Sequence, residues 1–373
     1  MGKYLILAAS MGDGHLRVAE QLRHRLIARG DSADVVDVMR VLPFGLGAAL
    51  RGGYAAMLRH APWLYDAIYR GFFVPTGGRA LRPDPLLAAG SPAVRRLILD
   101  RAPDAVVSTF HLCAQLTGRL SARGEIATPS TVVVTDFVAH HMWLHPGNDA
   151  FVCVHPAVAA EAARVTGRPA FAAAPAIDEA FTSSDVGEPA RSRTRRGLGL
   201  PLLPVVLISA GAWGVGPIVE TVEAVASRSH LTVVLCGRNQ RLRHALETRQ
   251  SLENLRVLGW RDDVPDLMRA SDVLVDNAAG QTAMEALATG LPVVTFAPLP
   301  GHGRDGARRM ESLGLSTFAA DRAQLRQAIA MLAARDSALR HRQIEVGRAL
   351  FTVDPVEFLD HARVRAQAAR PRR

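Results

Sequence analysis

The chain has 373 residues and a formal net charge of +9 at pH 7, nearly all of it from arginine. This length exceeds one hydrophobic core and predicts two domains. No apolar run is long enough to span a bilayer, and three scattered cysteines argue against a disulfide scaffold and fit a reducing cytosol. The charge favours an anionic partner such as a membrane surface or a phosphorylated ligand. Nucleic acid is not expected, because the sequence has no base-stacking motif or basic recognition helix.

Short apolar, β-branched runs alternate with amphipathic segments along the chain. Such alternation predicts an α/β fold of parallel, doubly wound sheets. A first series of strands is predicted at residues 4–9, 34–38, 105–109, 131–135 and 150–154, and a second at 205–209, 231–235, 256–258, 273–275 and 293–296. The architecture expected is two Rossmann-like domains with a cleft between them, where ligands bind beyond the carboxyl ends of the strands.

The domain boundaries are predicted from a change in composition between the two series. Residues 1–177 form the expected N-terminal domain and 204–350 the C-terminal one. The stretch 178–203 is polar, rich in arginine and ends in Gly-Leu-Gly-Leu-Pro, which is typical of an interdomain linker. Residues 351–373 are expected to form a C-terminal helix and a basic tail.

One segment, residues 44–75, breaks the alternation. It mixes apolar residues with arginines and contains three of the four tyrosines. Its periodicity predicts a pair of packing helices. The alternative is an amphipathic lip that dips into a membrane or binds an apolar acceptor.

The first strand leads into Ser-Met-Gly-Asp-Gly-His, residues 10–15. This is neither a dinucleotide fingerprint nor a P-loop. Gly12 and Gly14 allow close approach of the backbone, and His15 falls in the first turn of the predicted helix. The positive end of a helix disfavours imidazolium, so a neutral ring able to accept a proton is expected. The alternative is a capping histidine without chemistry.

Asp136 directly follows a predicted buried strand, and His140, His141 and His145 follow it within nine residues. A carboxylate at the carboxyl end of a strand can orient a histidine of a neighbouring turn. His141 and His145 would form a metal pair only within a helix. The Pro-Gly pair that comes next favours a loop, so no metal site is predicted.

Two glycine-containing turns of the second series each join a strand to a helix. The first contains Gly211, Gly214 and Gly216, whose backbone N–H groups suit a diphosphate. The second precedes a helix that carries Glu285. That carboxylate is expected to accept hydrogen bonds from a ribose diol, or else to be a solvated surface glutamate.

These pieces together resemble the monogalactosyldiacylglycerol synthase and bacterial processive diacylglycerol glucosyltransferase family, which is related more distantly to the peptidoglycan N-acetylglucosaminyltransferase. Residues 9–22, ASMGDGHLRVAEQL, are similar to the pattern AS-x-G-x-GH-x-x-x-A. Residues 135–145, TDFVAHHMWLH, are similar to TDF-x-x-H-x-x-W-x-H. Residues 235–239 and 259–294 follow the donor domain of the family, and the similarity spans most of residues 4–310.

The resemblance implies a GT-B fold, in which two Rossmann-like doubly wound domains face a central cleft. It implies inverting, metal-independent transfer of a hexose from a UDP-sugar to a diacylglycerol-like lipid, with no further cofactor. The enzyme would be cytoplasmic and attached peripherally to the inner face of an anionic membrane. Acceptor and membrane contacts would belong to the N-terminal domain, and the nucleotide to the C-terminal one.

The resemblance also implies roles for individual residues. His15 and Asp136 are the catalytic candidates, with the choice of base between them left open. The acceptor side would be formed by Gly12, Gly14, His140, Trp143 and His145. Donor binding would fall to Gly211, Ala212, Trp213, Gly214, Arg238, Asn239, Gly280, Gln281, Thr282 and Glu285.

The sequence departs from the family at the donor-sugar loop, where PGQE-x-x-N is usual. Here His302, Gly303 and Gly306 replace the Gln, Glu and Asn, so the donor sugar stays open. His302, Arg304 and Asp305 are the local substitutes in donor binding. Other possibilities are a soluble natural-product or isoprenoid acceptor, a non-catalytic sugar-nucleotide-binding protein, and a nucleotide-sugar 2-epimerase, which the two N-terminal motifs disfavour.

Overall fold

The fold is described from a computed structural model, which describes residues 1–74, 83–182, 188–249 and 254–369. The chain divides into two compact units. The N-terminal unit comprises Met1–Ala176 together with Leu350–Arg373, and the C-terminal unit comprises Ile177–Ala349.

The N-terminal unit contains one parallel sheet of six strands in the order β2-β1-β3-β4-β5-β6. Its strands are Lys3–Ala8 (β1), Ser32–Asp37 (β2), Ala105–Ser108 (β3), Ser130–Val134 (β4), Ala150–Cys153 (β5) and Ala170–Ala172 (β6). The helices of its first segment are Gly14–Ala28 (α1), Val38–Val41 (α2), Leu46–His60 (α3), Pro62–Phe73 (α4), Asp84–Arg101 (α5), His111–Ala122 (α6) and Pro156–Thr166 (α7).

Helices cover both faces of this sheet, which is why its central strands are continuous apolar runs. Successive residues of β1 point to opposite faces. Leu5 and Leu7 share a core with Leu116 of α6, whereas Ile6 packs with Leu22 of α1. The pairing of β1 with β3 brings the segments that follow the two strands side by side at one edge of the sheet.

The C-terminal unit contains a second parallel six-stranded sheet, ordered β12-β11-β10-β7-β8-β9. Its strands are Val205–Ser209 (β7), Leu231–Leu235 (β8), Leu255–Leu258 (β9), Val273–Asp276 (β10), Val293–Phe296 (β11) and Thr317–Ala319 (β12). Its helices are Glu179–Thr182 (α8), Glu188–Gly197 (α9), Ile218–Val225 (α10), Gln240–Glu247 (α11), Val264–Ala270 (α12), Gln281–Thr289 (α13), His302–Ser312 (α14), Arg322–Ala333 (α15) and Ala338–Arg348 (α16).

The last helix, Val356–Ala369 (α17), returns to the N-terminal unit. Its Val356 and Leu359 enter the core that covers β1. Its Asp360 contacts the Tyr4 hydroxyl and forms an ion pair of 3.0 Å with Arg29. The end of the chain is therefore a structural part of the first unit. The predicted basic tail lies, from residue 370 on, outside the described residues.

All ten predicted strands are confirmed, whereas β6 and β12 were not predicted. Both have only three residues, lie at the edge of a sheet and are partly exposed, so the apolar run is too short to be recognised. In residues 44–75, the predicted pair of helices is confirmed as α3 and α4, which pack through Leu58, Tyr65 and Tyr69.

The stretch predicted as a linker, residues 178–203, differs in the structure, because it belongs to the C-terminal unit and contains α8 and α9. Arg191 and Arg195 of α9 pair with the buried Asp272 at 2.6 and 3.4 Å. Asp272 also accepts the backbone N–H of Val205, where β7 begins. The arginine-rich composition suggested a segment exposed to solvent. In the structure, Arg191 and Arg195 instead form ion pairs with the buried carboxylate of Asp272. Residues 183–187 lie outside the described part.

No helix among the described residues is both long and apolar enough to cross a bilayer.

The Asp272 cluster should dominate the stability of the C-terminal unit. We expect Asp272→Ala to lower the free energy of unfolding by about 3–5 kcal/mol, because two mostly buried guanidinium groups lose their counter-charge. The control is Asp100→Ala, which removes an exposed partner of Arg96 and should cost less than about 0.5 kcal/mol. Urea unfolding followed by circular dichroism measures both. Equal losses for the two variants would contradict the assignment.

Candidate active site

The first cluster lies at the carboxyl edge of the N-terminal sheet, where β1, β3 and β4 end. The turn after β1 holds Gly12 at φ +92°, in the left-handed region that glycine enters without strain. Helix α1 then begins at Gly14, so His15 occupies its first turn, as predicted. The ring of His15 is half-buried and lies edge-on to that of Phe110, with 4.8 Å between centroids.

The hydrogen bonds of His15 define which ring nitrogen carries the proton. Nδ1 lies 3.0 Å from the backbone carbonyl oxygen of Thr109 and 3.3 Å from the hydroxyl of Thr135. A carbonyl oxygen only accepts hydrogen bonds, so Nδ1 must be the donor. In the neutral ring, which the start of a helix favours, Nε2 then keeps its lone pair. His15 is thereby prepared to accept a proton at Nε2.

The second element of this cluster is Asp136, directly after β4. Its Oδ2 accepts a hydrogen bond of 2.8 Å from the indole N–H of Trp143 and lies 3.8 Å from Nε2 of His140. Trp143 is fully buried and His140 nearly so. The sequence left Asp136 open as a possible orienter of His15 or as the base itself, and the partners that the structure gives to its carboxylate are Trp143 and His140. Orientation of His15 comes from backbone and hydroxyl groups of β3 and β4 ends instead.

Aromatic rings from three elements enclose the cluster. His111, at the start of α6, contacts Phe110 at 4.0 Å and Trp143 at 5.9 Å between centroids. Helix α4 contributes Phe73, 4.8 Å from His140. The sequence reasoning missed Phe73, Phe110 and His111, since none belongs to a recognised motif.

Two tyrosines of the α3–α4 pair extend the apolar surroundings of Asp136. Burial raises the pKa of Tyr54 to about 12, a hydrogen bond with Tyr65 opposes the rise, and the negative charge of Asp136 adds to it. Burial likewise raises the pKa of Tyr65. Both hydroxyls are therefore neutral at physiological pH.

His145 has a structural position within the same motif. Its Nδ1 accepts the backbone N–H of Gly147 at 3.0 Å. Its ring fills the space over Gly118 of α6, where an added Cβ would lie 2.5 Å from the ring. His145 therefore packs the turn against α6, whereas His140 and Trp143 lie beside Asp136. The segment is a loop, as predicted, and no group of three metal-type ligands occurs among the described residues.

The second cluster lies at the carboxyl edge of the C-terminal sheet, where three loops meet. The loop after β7 contains Gly211, Gly214 and Gly216, all with positive φ. The amide of Asn277, after β10, donates to the carbonyl of Val215 at 3.0 Å. The carbonyl of Asn277 in turn accepts from the N–H of Leu299, after β11. These bonds hold the three loops together as one surface.

Asn239 and Arg238 connect the loop after β8 to that surface. The Asn239 amide donates to the Gly214 carbonyl at 2.8 Å, and its oxygen caps α11. The N–H of Arg238 donates to the carbonyl of Ala212. Its guanidinium carbon lies 3.7 Å from the centroid of the Trp260 ring, a cation–π contact. Arg238 and Trp260 thus form a flat, partly exposed pair beside the glycine-rich loop. That loop also contains Trp213, which is half-buried.

The turn between β10 and α13 is built around Asp276. Its carboxylate accepts the N–H groups of Ala278 and Ala279 at 3.0 and 2.6 Å, and burial raises its pKa. Ala279 is held at φ +52°, a strained value for alanine. The alanine after β11, Ala297, is also left-handed, at φ +45°. Strain stored at the ends of two neighbouring strands is characteristic of binding loops.

Helix α13 presents the remaining donor-side candidates. Gly280 is its N-cap residue, and Gln281 and Thr282 form its half-buried first turn. Glu285 is only 6% exposed, so the alternative of a solvated surface glutamate is wrong. A carboxylate placed this deep requires polar partners, as a binding residue has.

Two of the departures from the family's donor-sugar loop, Gly303 and Gly306, lie in sterically tight positions. The segment forms helix α14 from His302 onward, with Arg304 and Asp305 half-buried in its first turns. A Cβ at Gly303 would lie 3.0 Å from Cβ of Leu299, and one at Gly306 would lie 3.1 Å from Cβ of Ala279. Larger residues at these two positions would push α14 away from the turn after β10.

Comparison with known proteins gives one family profile for each of the two units. The sequence profile of the monogalactosyldiacylglycerol (MGDG) synthase family matches residues 15–169, and that of glycosyl transferases group 1 matches residues 205–335. The chain is 27% identical over 319 residues to a processive diacylglycerol beta-glucosyltransferase of Bacillus pumilus, covering 84% of this chain and 82% of that protein. The chain is therefore a glycosyltransferase whose sequence is similar to this family.

Solved structures agree on the fold. The calicheamicin glycosyltransferase CalG4 superimposes with a TM-score of 0.62 at 18% identity, covering 100% of each chain. Anabaena Alr3699/HepE, solved in complex with UDP-glucose, has a TM-score of 0.57 at 15% identity, covering 99% of this chain and 100% of that one. The enzyme thus has the two-domain GT-B fold.

Trp260 lies against the donor-binding candidate Arg238, and the sequence reasoning missed it. It stands two residues after the end of β9, inside the stretch that resembles the donor domain. A bulky aromatic residue at the carboxyl end of a strand was the available signal. Its contact with Arg238 depends on two loops that are distant in sequence, which no local pattern reveals.

The glycine-rich loop after β7 should tolerate substitution unequally. Gly211 and Gly214 both have φ near +60°, but only at Gly214 would a Cβ collide, lying 2.4 Å from Cβ of Asn239. We expect Gly211→Ala to cost about 1–2 kcal/mol from backbone strain alone. Gly214→Ala should cost about 1–3 kcal/mol more, because Asn239 must move. Urea unfolding compares the two, and an equal loss would refute the close approach of the loops.

Proposed function

We propose that the enzyme transfers a hexose from a UDP-sugar to a diacylglycerol-like lipid, with inversion at the anomeric carbon and without a metal ion. The observation that carries the proposal is the fixed tautomer of His15. Its Nδ1 donates to the Thr109 carbonyl, so Nε2 is the acceptor nitrogen. Such a nitrogen is what deprotonation of an acceptor hydroxyl requires.

The proposed reaction is a single displacement. Nε2 of His15 takes the proton of the acceptor hydroxyl while its oxygen forms the new bond to the anomeric carbon. The bond from that carbon to the diphosphate oxygen breaks, and UDP leaves with the electron pair. Attack opposite to the leaving group inverts the carbon. Asp136 accepts the indole N–H of Trp143, whose ring lies 6.2 Å from the ring of His15 between centroids, and it is assigned to hold Trp143 beside that ring rather than to act as base.

The donor assignment rests on the second cluster. Backbone N–H groups of the glycine-rich loop and the start of α13 would hold the diphosphate. Glu285 would accept hydrogen bonds from the ribose, and the flat pair of Arg238 and Trp260 would lie against the uracil ring. That HepE was solved with UDP-glucose on the same fold supports this donor class.

The acceptor assignment is supported by relatives named processive diacylglycerol beta-glucosyltransferases. It is also supported by the aromatic enclosure of His15, which suits an apolar molecule. A hydroxyl at the end of a glycerolipid would enter between rings such as Phe73 and Phe110 and meet Nε2. A soluble acceptor is the competing outcome of the test below.

Peripheral binding to an anionic membrane is proposed for the α3–α4 pair. Phe44 is 97% exposed and Trp63 is 72% exposed, although both are large and apolar. Phe44 adopts φ +56°, a conformation that costs a non-glycine residue about 1–2 kcal/mol. Residues 44–73 carry three arginines and one acid, Asp66, which pairs with Arg70. Apolar tips among positive charges suit a surface of anionic lipid.

The function is tested by incubating the enzyme with a panel of UDP-sugars, EDTA and vesicles with or without diacylglycerol. We expect UDP release from at least one donor, dependent on diacylglycerol, with an inverted glycosidic product. His15→Ala should lower kcat by about 10²–10⁴-fold, because the base is lost. His24→Ala, on the exposed side of the same helix, should leave kcat unchanged.

Three outcomes would overturn parts of this proposal. Turnover by His15→Ala at the wild-type rate would remove His15 as base. Release of UDP without diacylglycerol would exclude the lipid acceptor. Absence of UDP release from every donor, together with no rise in melting temperature on adding any UDP-sugar, would reject the donor class.

Membrane binding is tested by co-sedimentation with vesicles that contain anionic lipid. We expect binding to weaken as salt rises, because the arginine contribution is screened. The double substitution Phe44→Ser and Trp63→Ser should reduce binding at least tenfold, since two apolar side chains no longer enter the interface. Leu202→Ser, which removes another fully exposed apolar side chain, is the matched control. Equal loss in both variants would contradict the assigned surface.

A further inference from the structure

Phe73, the last residue of α4, contacts both its own helix and two segments of the candidate active site. Its ring stacks on Tyr69 with 5.2 Å between centroids and meets two histidine rings edge-on. These are His140 at 4.8 Å and His111 at 5.0 Å. The ring therefore joins α4 to the loop that follows Asp136 and to the start of α6.

The backbone of Phe73 makes a second contact with the same loop. Its carbonyl oxygen accepts a hydrogen bond of 3.2 Å from Nδ1 of His141. One residue thus fixes two consecutive histidines, one through its ring and the other through its carbonyl. On the opposite side, the Gln115 amide donates to the carbonyl of Met142 at 2.9 Å. The loop is held between α4 and α6.

This loop needs such support because it has no regular secondary structure of its own. It is closed by single turns, in which the N–H of Trp143 donates to the carbonyl of His140. Trp143 also supplies the indole N–H to Asp136. A shift of His140 would therefore move both groups that lie against the carboxylate.

We propose that Phe73 is a positioning residue for the transfer reaction, which holds His140 and Trp143 in place against Asp136. The inference rests on the proposed function for its kinetic consequence, but the geometry is testable without turnover. Phe73 itself is assigned no chemistry. Its effect passes through the loop 136–145 to Trp143, whose ring lies 6.2 Å from the ring of His15 between centroids.

The matched control is Phe171 in β6. Its ring also stacks on one aromatic ring, Phe358 at 4.7 Å, and meets one histidine edge-on, His361 at 4.7 Å. Phe171 lies in the same unit, but its ring contacts α17 instead of the loop 136–145. Loss of packing should thus be similar in Phe73→Leu and Phe171→Leu, while only the first disturbs Asp136.

The direct test is hydrogen exchange of the Trp143 indole N–H, followed by NMR and assigned from its absence in Trp143→Phe. The chain has only four tryptophans, so the indole region is simple. We expect at least tenfold faster exchange in Phe73→Leu and wild-type exchange in Phe171→Leu and Phe73→Tyr. Equal exchange in both leucine variants would overturn the proposal, whether or not the enzyme turns over.

The kinetic test uses wild type under the conditions that give UDP release. Phe73→Leu should lower kcat about tenfold or more with KM for the donor within twofold, and Phe73→Tyr should restore it. In a cycle with His140→Gln, the double variant should be no slower than His140→Gln alone, because both act through one group. Additive losses, or a loss matched by Phe171→Leu, would reject a positioning role. Failure of wild type to turn over rejects the proposed function only.

Discussion

The hydrogen bond between Nδ1 of His15 and the carbonyl oxygen of Thr109 joins the ends of β1 and β3 at the point where the chemistry is assigned. It is possible only because these strands are parallel neighbours, so their carboxyl ends meet at one edge. The same bond selects the tautomer, since a carbonyl cannot donate. Because the acceptor is the backbone carbonyl of Thr109, the fold supplies it whatever side chain stands at that position. The tautomer assigned to His15 thus follows from sheet order.

The two units have the same architecture, but the residues at the carboxyl ends of their strands differ in chemical character. The first places aromatic rings around its histidine, which suits the apolar acceptor proposed for it. The second gathers backbone N–H groups, left-handed residues and a buried carboxylate at the ends of β7, β10 and β11. These features suit a charged, hydroxyl-rich donor. Parallel α/β sheets permit both, because the loops beyond the strands vary without disturbing the core.

The sequence alone was sufficient to predict the long apolar strands, the turn before α1, the loop after β4 and the helix pair in residues 44–75. These depend on local patterns of hydrophobicity, glycine and proline. The partner of Asp136, the contact of Arg238 with Trp260 and the place of Phe73 depend on packing between distant segments, which one sequence does not reveal. The linker was predicted from composition, and the prediction differs from the structure because Asp272, far along the chain, buries the arginines of α9. The steric reason for Gly303 and Gly306 likewise requires coordinates.

The return of α17 to the first unit has a consequence for the making of the protein. The chain leaves the N-terminal unit after Ala176 and re-enters it at Leu350, so the C-terminal unit is an insertion in the first. Val356 and Leu359 complete the core behind β1, and Asp360 meets Tyr4 there. During synthesis, every residue of the second unit is translated before the first can close its core. The unit that is assigned to hold the lipid is therefore the last to be finished, and until then its core lacks the side chains of Val356 and Leu359.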